Sequence, residues 1–485
     1  MPFPQRLLRF AASLAAAGAA AVAATLLPLL ARGQGFPAGR TVDRVACLAD
    51  PERSYALYLP SSFDPGKTWP VLVLFDPGAR GAVAIEAFRA AAEARGWVLA
   101  ASNDSRNGPF RDSGLAAMAL WADLRARLPV DAKRIYAAGF SGGARVASAF
   151  SRFIGRPIAG IIGCGAGLAA GVGPETLGAS AYFGIAGLRD FNYGEMKELD
   201  RALDPAGPTH RFHYFEGPHA WPDAESCALA VAWLDVLAMK QGLRPADREA
   251  ADATVRRDIE EGLALEAAGR AYWAVGRFEA AAGLAEGMGL SLPALEGLDG
   301  RIAELKARKE YGLFLEAEKK RDRKTLEFRQ RSIRALSAVE NPDGGGSAAV
   351  PQILQAAGIS FLKKEARGKG ALEDRALASR LLFDFCYAAR GRASELYGQG
   401  NMLWSGAYFD LAIAACEEGL SLETWLYFNR ACVAARAGDK KLALRHLAAA
   451  VEKGFADLRV LETDKDLDPV RGTAAFQALL ARLRK

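Results

Sequence analysis

Histidine, cysteine and net charge are what this chain has least of. Four histidines stand among 485 residues, so chemistry that needs an imidazole has few places to sit. Six cysteines, with no C-x-x-C pair, exclude a zinc knuckle, a thioredoxin-type redox site and a disulfide-built fold. Cys164, Cys386, Cys416 and Cys432 lie in apolar patterns and read as core thiols, whereas Cys47 and Cys227 flank the first half and leave a bridge between them open. The net charge of +6 falls to about +3 once Arg6, Arg9 and Arg32 are set aside, and no nucleic-acid motif accompanies it. A nucleic-acid partner is therefore not expected. No dinucleotide fingerprint and no metal-ligand spacing is present, so neither a cofactor nor a metal is expected.

What is present begins at the N-terminus. Arg6 and Arg9 precede an apolar run from residue 10 to 30, and Ala31-Arg32-Gly33 follows. This is the make-up of a secretory signal over residues 1–33, cleaved near Gly33, and it implies export to the periplasm or beyond the cell. Left uncleaved, a run of this length would anchor the chain in a membrane.

From residue 54 to 242, short apolar runs alternate with helical spacing. Residues 69–75, "WPVLVLF", are nearly continuous in apolar side chains, as a strand buried on both faces requires. Further strands are expected at 55–59, 97–101, 135–140, 157–163, 181–186 and 210–215, with helices at 83–95, 115–128, 144–153 and 225–241. This alternation predicts an α/β class, a doubly wound and mostly parallel sheet over residues 40–243. "LRPADREAADA" then reads as a linker. Residues 250–485 carry helical periodicity only and are expected to form an all-α repeat region. The basic stretch 319–334 reads as a solvated helix face, and "NPDGGGSAAVP" as a break between helices.

"GFSGG" at residues 139–143 sits where a strand ends and a helix begins, the place a serine nucleophile needs. Glycines at 139 and 143 allow a tight turn, and the Gly142 N–H at a helix start can stabilise an oxyanion. Of the four histidines, His210 and His213 lie within a strand, His446 lies in the helical half, and His219 follows the last strand.

The block from 54 to 242 resembles an α/β-hydrolase of the polyhydroxybutyrate depolymerase and feruloyl esterase type. Gly217-Pro218-His219-Ala220-Trp221-Pro222 is similar to that family's G-H-x-W-P segment, with one proline added. The resemblance implies a chain order of serine, acid, histidine, hence Ser141 as nucleophile, Asp190 after the strand at 181–186 as acid, and His219 as base. Asp200 and Asp223 are weaker candidates for the acid. Where the family has a histidine-glycine pair, this chain has Asp76-Pro77-Gly78-Ala79, and Pro77 has no N–H to donate. The second oxyanion donor would then be Gly78 or Ala79. Arg80, Arg106 or Arg189 could hold a substrate carboxylate, or pair with structural acids.

In the helical half, Ala431, Gly438, Ala443 and Ala450 have the spacing of a tetratricopeptide helix pair, which the stretch 425–455 resembles. Gly276, Phe278 and Ala281 echo its turn portion, and Gly406, Tyr408 and Ala412 give a looser copy. Such repeats imply a protein partner. Three functions follow: an exported esterase acting on an ester of unspecified size, a binding scaffold with a weak or inactive hydrolase half, or a peptidase of the same fold.

Overall fold

The computed structural model describes residues 35–290, 292–341, 346–416 and 421–484. The signal-like segment at 1–33 lies outside them. Among the described residues no helix is long and apolar enough to cross a membrane.

Eight strands form one sheet: β1 (Thr41–Ala46), β2 (Ser54–Tyr58), β3 (Trp69–Phe75), β4 (Val98–Ser102), β5 (Val130–Phe140), β6 (Gly160–Cys164), β7 (Ala181–Gly187) and β8 (His210–Phe215). Their order is β1-β2-β4-β3-β5-β6-β7-β8. Only β1 with β2 and β2 with β4 pair antiparallel; every other neighbour is parallel. The helices between strands are α1 (Gly81–Arg95), α2 (Phe110–Arg127), α3 (Gly142–Ser148), α4 (Phe150–Ile154) and α5 (Tyr193–Ala206), and α6 (Ala224–Lys240) follows β8.

Both sheet faces are covered, which explains the unbroken apolar reading of β3. Leu72 and Leu74 face α1 and α6, while Val71, Val73 and Phe75 face α2, α3 and α4. All five are fully buried. The expected helix at 144–153 is broken in two, with Ala149 between α3 and α4. β1 had no counterpart in the sequence reading, because it is a short edge strand with mixed exposure. Cys47 and Cys227 are both free and buried in the clusters on opposite sheet faces, so no bridge joins them.

The second half is all helix: α7 (Arg248–Ala267), α8 (Ala271–Ala285), α9 (Leu298–Ala307), α10 (Lys309–Ser337), α11 (Val350–Ala357), α12 (Ile359–Ala366), α13 (Leu372–Gly398), α14 (Met402–Ala415), α15 (Ser421–Arg436), α16 (Lys440–Glu452) and three short helices to Leu483. The expected linker is one only as far as Asp247, which caps α7 by accepting from the Ala250 N–H. From there Ala251, Val255, Ile259 and Phe278 join the same apolar cluster as Leu72 and Trp233. Arg211 on β8 forms a two-pronged ion pair with Asp258 at 2.6 and 2.8 Å, both groups buried. Gly276, Phe278 and Ala281 fall inside α8 rather than at a turn. In the basic stretch, Arg321 is buried against Glu318 and Asp374, so that face is partly an internal ion-pair network.

Candidate active site

Strand β5 ends at Phe140 and α3 begins at Gly142, leaving Ser141 alone on the turn between them. Its backbone is held at φ 53°, ψ −122°, a strained conformation for a side chain that is not glycine. The strain is fixed from both sides. The Ser141 N–H donates to the Cys164 carbonyl at 2.8 Å, and its own carbonyl accepts from Ala144. Gly143 lies so close to β3 that a Cβ there would stand 2.0 Å from the Phe75 carbonyl oxygen. A sharp turn is thereby forced, and the serine points out of the sheet edge.

The structure brings Ser141, His219 and Asp190 together. Ser141 Oγ is 3.0 Å from His219 Nε2, and His219 Nδ1 is 2.8 Å from Asp190 Oδ1. Asp190 is 1 % exposed, and the Asn192 N–H also donates to its Oδ1 at 2.8 Å. A carboxylate so placed fixes the imidazole with Nε2 toward the serine and stabilises the cation formed when the ring takes a proton. The two weaker acid candidates are engaged elsewhere. Asp223 caps α6 through the Ser226 N–H, and Asp200 faces His210, its carboxyl pushed up to about 6 by burial.

His219 is flanked by Phe140 and Phe191, at ring-centre distances of 4.6 and 4.0 Å. Phe191 in turn stacks on Phe383 of α13 at 4.2 Å with planes 4° apart. Arg380, also on α13, covers the Tyr193 ring and donates to the Leu188 carbonyl. The loop that carries Asp190 is therefore held by the helical half.

Around the oxyanion position the outcome is mixed. Gly142 opens α3, so its N–H has no intrahelical acceptor. The Gly78 N–H is engaged by Asp76 Oδ1 at 2.8 Å and the Ala79 N–H by the Asp76 carbonyl at 3.2 Å, so neither expected donor is spare. Asp76 is the hub of that turn. Burial pushes its carboxyl up, but hydrogen bonds from Arg80, Trp221 and Gly78 outweigh this and hold it below the usual carboxylate range. Arg80 thus pairs with a structural acid. Asn107 was legible only as part of a polar loop. Its carboxamide lies against Gly142, where a Cβ would come within 1.8 Å of the amide oxygen, and its backbone N–H donates to the Pro77 carbonyl at 2.8 Å.

Ser141 and His219 open into a cavity of about 1230 Å³. The α/β part lines one side with Asn107, Arg189 and Phe191; α10 and α13 line the other with Phe328, Leu336, Phe383 and Tyr387.

The strand order, the covered sheet and the serine turn are those of the α/β-hydrolase fold. Solved structures similar to this chain include an esterase of Pyrobaculum calidifontis, at 17% identity over 42% of this chain and 87% of that one with a TM-score of 0.33. A fluorophosphonate-binding serine hydrolase of Staphylococcus aureus is similar at 12% identity over 41% of this chain and 99% of that one, with a TM-score of 0.35. The feruloyl esterase module of Clostridium thermocellum is similar at 14% identity, over 40% of this chain and 88% of that one, with a TM-score of 0.33. No family model and no curated protein matches the sequence.

Proposed function

We propose that this chain is a serine hydrolase that cleaves carboxylic esters through an acyl-enzyme. The observation that carries the reading is the continuous hydrogen-bonded relay from Ser141 through His219 to the buried Asp190, with the serine on a strained turn. His219 Nε2 takes the Ser141 proton as Oγ attacks the ester carbonyl. The tetrahedral oxyanion is held by the Gly142 N–H. The Asn107 carboxamide lies beside it with its oxygen toward Gly142, and turning that group to present its NH2 supplies the second donor in place of the one expected near Gly78. Collapse expels the alcohol, to which His219 returns the proton. Water, deprotonated by the same ring, then attacks the acyl group and releases the acid and free Ser141.

Export through residues 1–33 belongs to the same reading. So does a tetratricopeptide-like character for α15 and α16, where Ala431, Ala443 and Ala450 are fully buried and let the two helices approach closely. The test is turnover of p-nitrophenyl esters of graded chain length by the full-length protein. Hydrolysis that disappears in Ser141→Ala supports the reading, and a Ser141→Ala protein that is folded and as active as its parent overturns it.

A further inference from the structure

The cavity over Ser141 has an unusual charge balance. Five arginines line it against one aspartate, Asp384. Three of the five are engaged, Arg367 among them. Arg145 is gripped by Glu195 at 2.8 and 2.9 Å, and Arg329 donates to Asp384 at 3.2 Å. Arg189 and Arg390 have no acid partner among the described residues. Arg189 extends from the loop beside Asp190, fixed by its backbone N–H donating to the Gly217 carbonyl at 2.9 Å. Arg390 comes from α13 on the opposite wall. Its guanidinium lies over the Tyr387 ring at 4.9 Å, and its Nε is buried with no hydrogen-bond partner.

A guanidinium held on an aromatic face with a buried, unanswered N–H costs stability unless a ligand completes it. Arg390 is such a group, and the exposed Arg189 of the loop beside Asp190 lines the same cavity as a second cation. The planar fork of arginine matches a carboxylate in geometry as well as charge. Resting on the ester-hydrolase reading above, we infer that the natural substrate is an anionic ester, one whose acyl or alcohol part carries a carboxylate received by Arg189 and Arg390. A neutral alkyl ester would leave both cations unanswered and would be the poorer substrate.

The experiment compares kcat/KM within two matched pairs on the full-length protein. One pair sets the 4-methylumbelliferyl half-ester of adipic acid against the hexanoate ester, placing the charge on the acyl side. The other sets the butyrate ester of 4-hydroxybenzoate against that of 4-hydroxybenzamide, placing it on the alcohol side. In at least one pair the anion is expected to be favoured about tenfold or more, the effect of one charge-assisted hydrogen-bonded contact. Added salt should reduce that preference. The double variant Arg189→Gln/Arg390→Gln should bring the ratio close to one, while Arg390→Lys should keep part of it. Fluorophosphonate labelling of Ser141, run alongside, separates the two claims. Labelled protein that treats both pairs alike, or a preference untouched by salt and by the double variant, overturns the anionic substrate and leaves the hydrolase standing. Protein that takes no label and cleaves no ester overturns both.

Discussion

The two halves of this molecule contribute different things to one site. Every group that would touch the reacting bond, Ser141, His219, Asn107 and the Gly142 N–H, comes from the α/β part. Most of the cavity wall comes from α10 and α13 of the helical part. The difference teaches where a sequence shows its chemistry. A nucleophile turn needs a particular backbone and so leaves a motif. A cavity wall needs only apolar and basic side chains on a helix, and these read as an ordinary core or solvated face.

The comparison breaks first at the relay. Asp190→Asn should lower kcat by about 10³- to 10⁴-fold by misorienting the ring, measured by single-turnover acylation. Asp200→Asn and Asp223→Asn should stay within severalfold of the parent, because those side chains face His210 and cap α6. A reversal of that ranking would move the acid elsewhere.

Next comes the seam between the halves. A fragment ending at residue 246 loses Asp258 opposite Arg211 and bares the apolar surface that Val255, Ile259 and Phe278 cover. Its melting temperature should fall by at least about 10 °C, since each lost kcal/mol lowers the transition of a domain this size by roughly 2–4 °C. A fragment ending at 307 keeps that cover and should melt higher. Equal melting of the two would show that the shared core contributes nothing.

The contact between Phe383 and Phe191 sharpens the comparison from the helical side. An aromatic stack is worth about 0.5–1.5 kcal/mol. Phe383→Ala should therefore reduce kcat/KM by about threefold to tenfold without abolishing fluorophosphonate labelling. Restored activity in Phe383→Tyr would confirm that the ring, not the residue, is required.

A last effect, on stability rather than on catalysis, is the response to acid. Burial and the cations Arg277, Arg211 and Arg257 hold the His213 imidazole well below its ordinary value, and burial with Arg430 brings His446 down to about 4. Unfolding releases both rings to protonate near pH 6.5, so stability is full above that pH. It is lost as pH falls toward the folded values, by about 1.4 kcal/mol per pH unit for each ring. Denaturant midpoints at pH 7.5, 6 and 5 check this, and a flat profile would contradict it. One ring lies on β8 and the other in the helical half, so His213→Gln and His446→Gln report each part separately.

Much of the α/β part was legible because its signals are local. "WPVLVLF" announces a strand covered on both faces, and "GFSGG" a strand-to-helix turn. His219 stood out because imidazoles are few. The rest depends on contacts between distant segments. Asn107 reaches the site only because its loop is tied to Pro77 and packed on Gly142. The capture of the Gly78 and Ala79 N–H groups follows from the way the Asp76 turn closes, which residue types alone do not specify. The apparent linker "LRPADREAADA" is polar in composition, yet Ala251 within it is fully buried, since α7 turns one small face into the shared core.

The central claim, that Ser141 is the nucleophile of the relay, has one direct measurement. The full-length protein is treated with a fluorophosphonate and the modified residue is located by peptide mass spectrometry. A single adduct on Ser141, absent from folded Ser141→Ala and formed far more slowly in Asp190→Asn, is the expected result. An adduct on another serine, or labelling that persists in Ser141→Ala, would contradict the account.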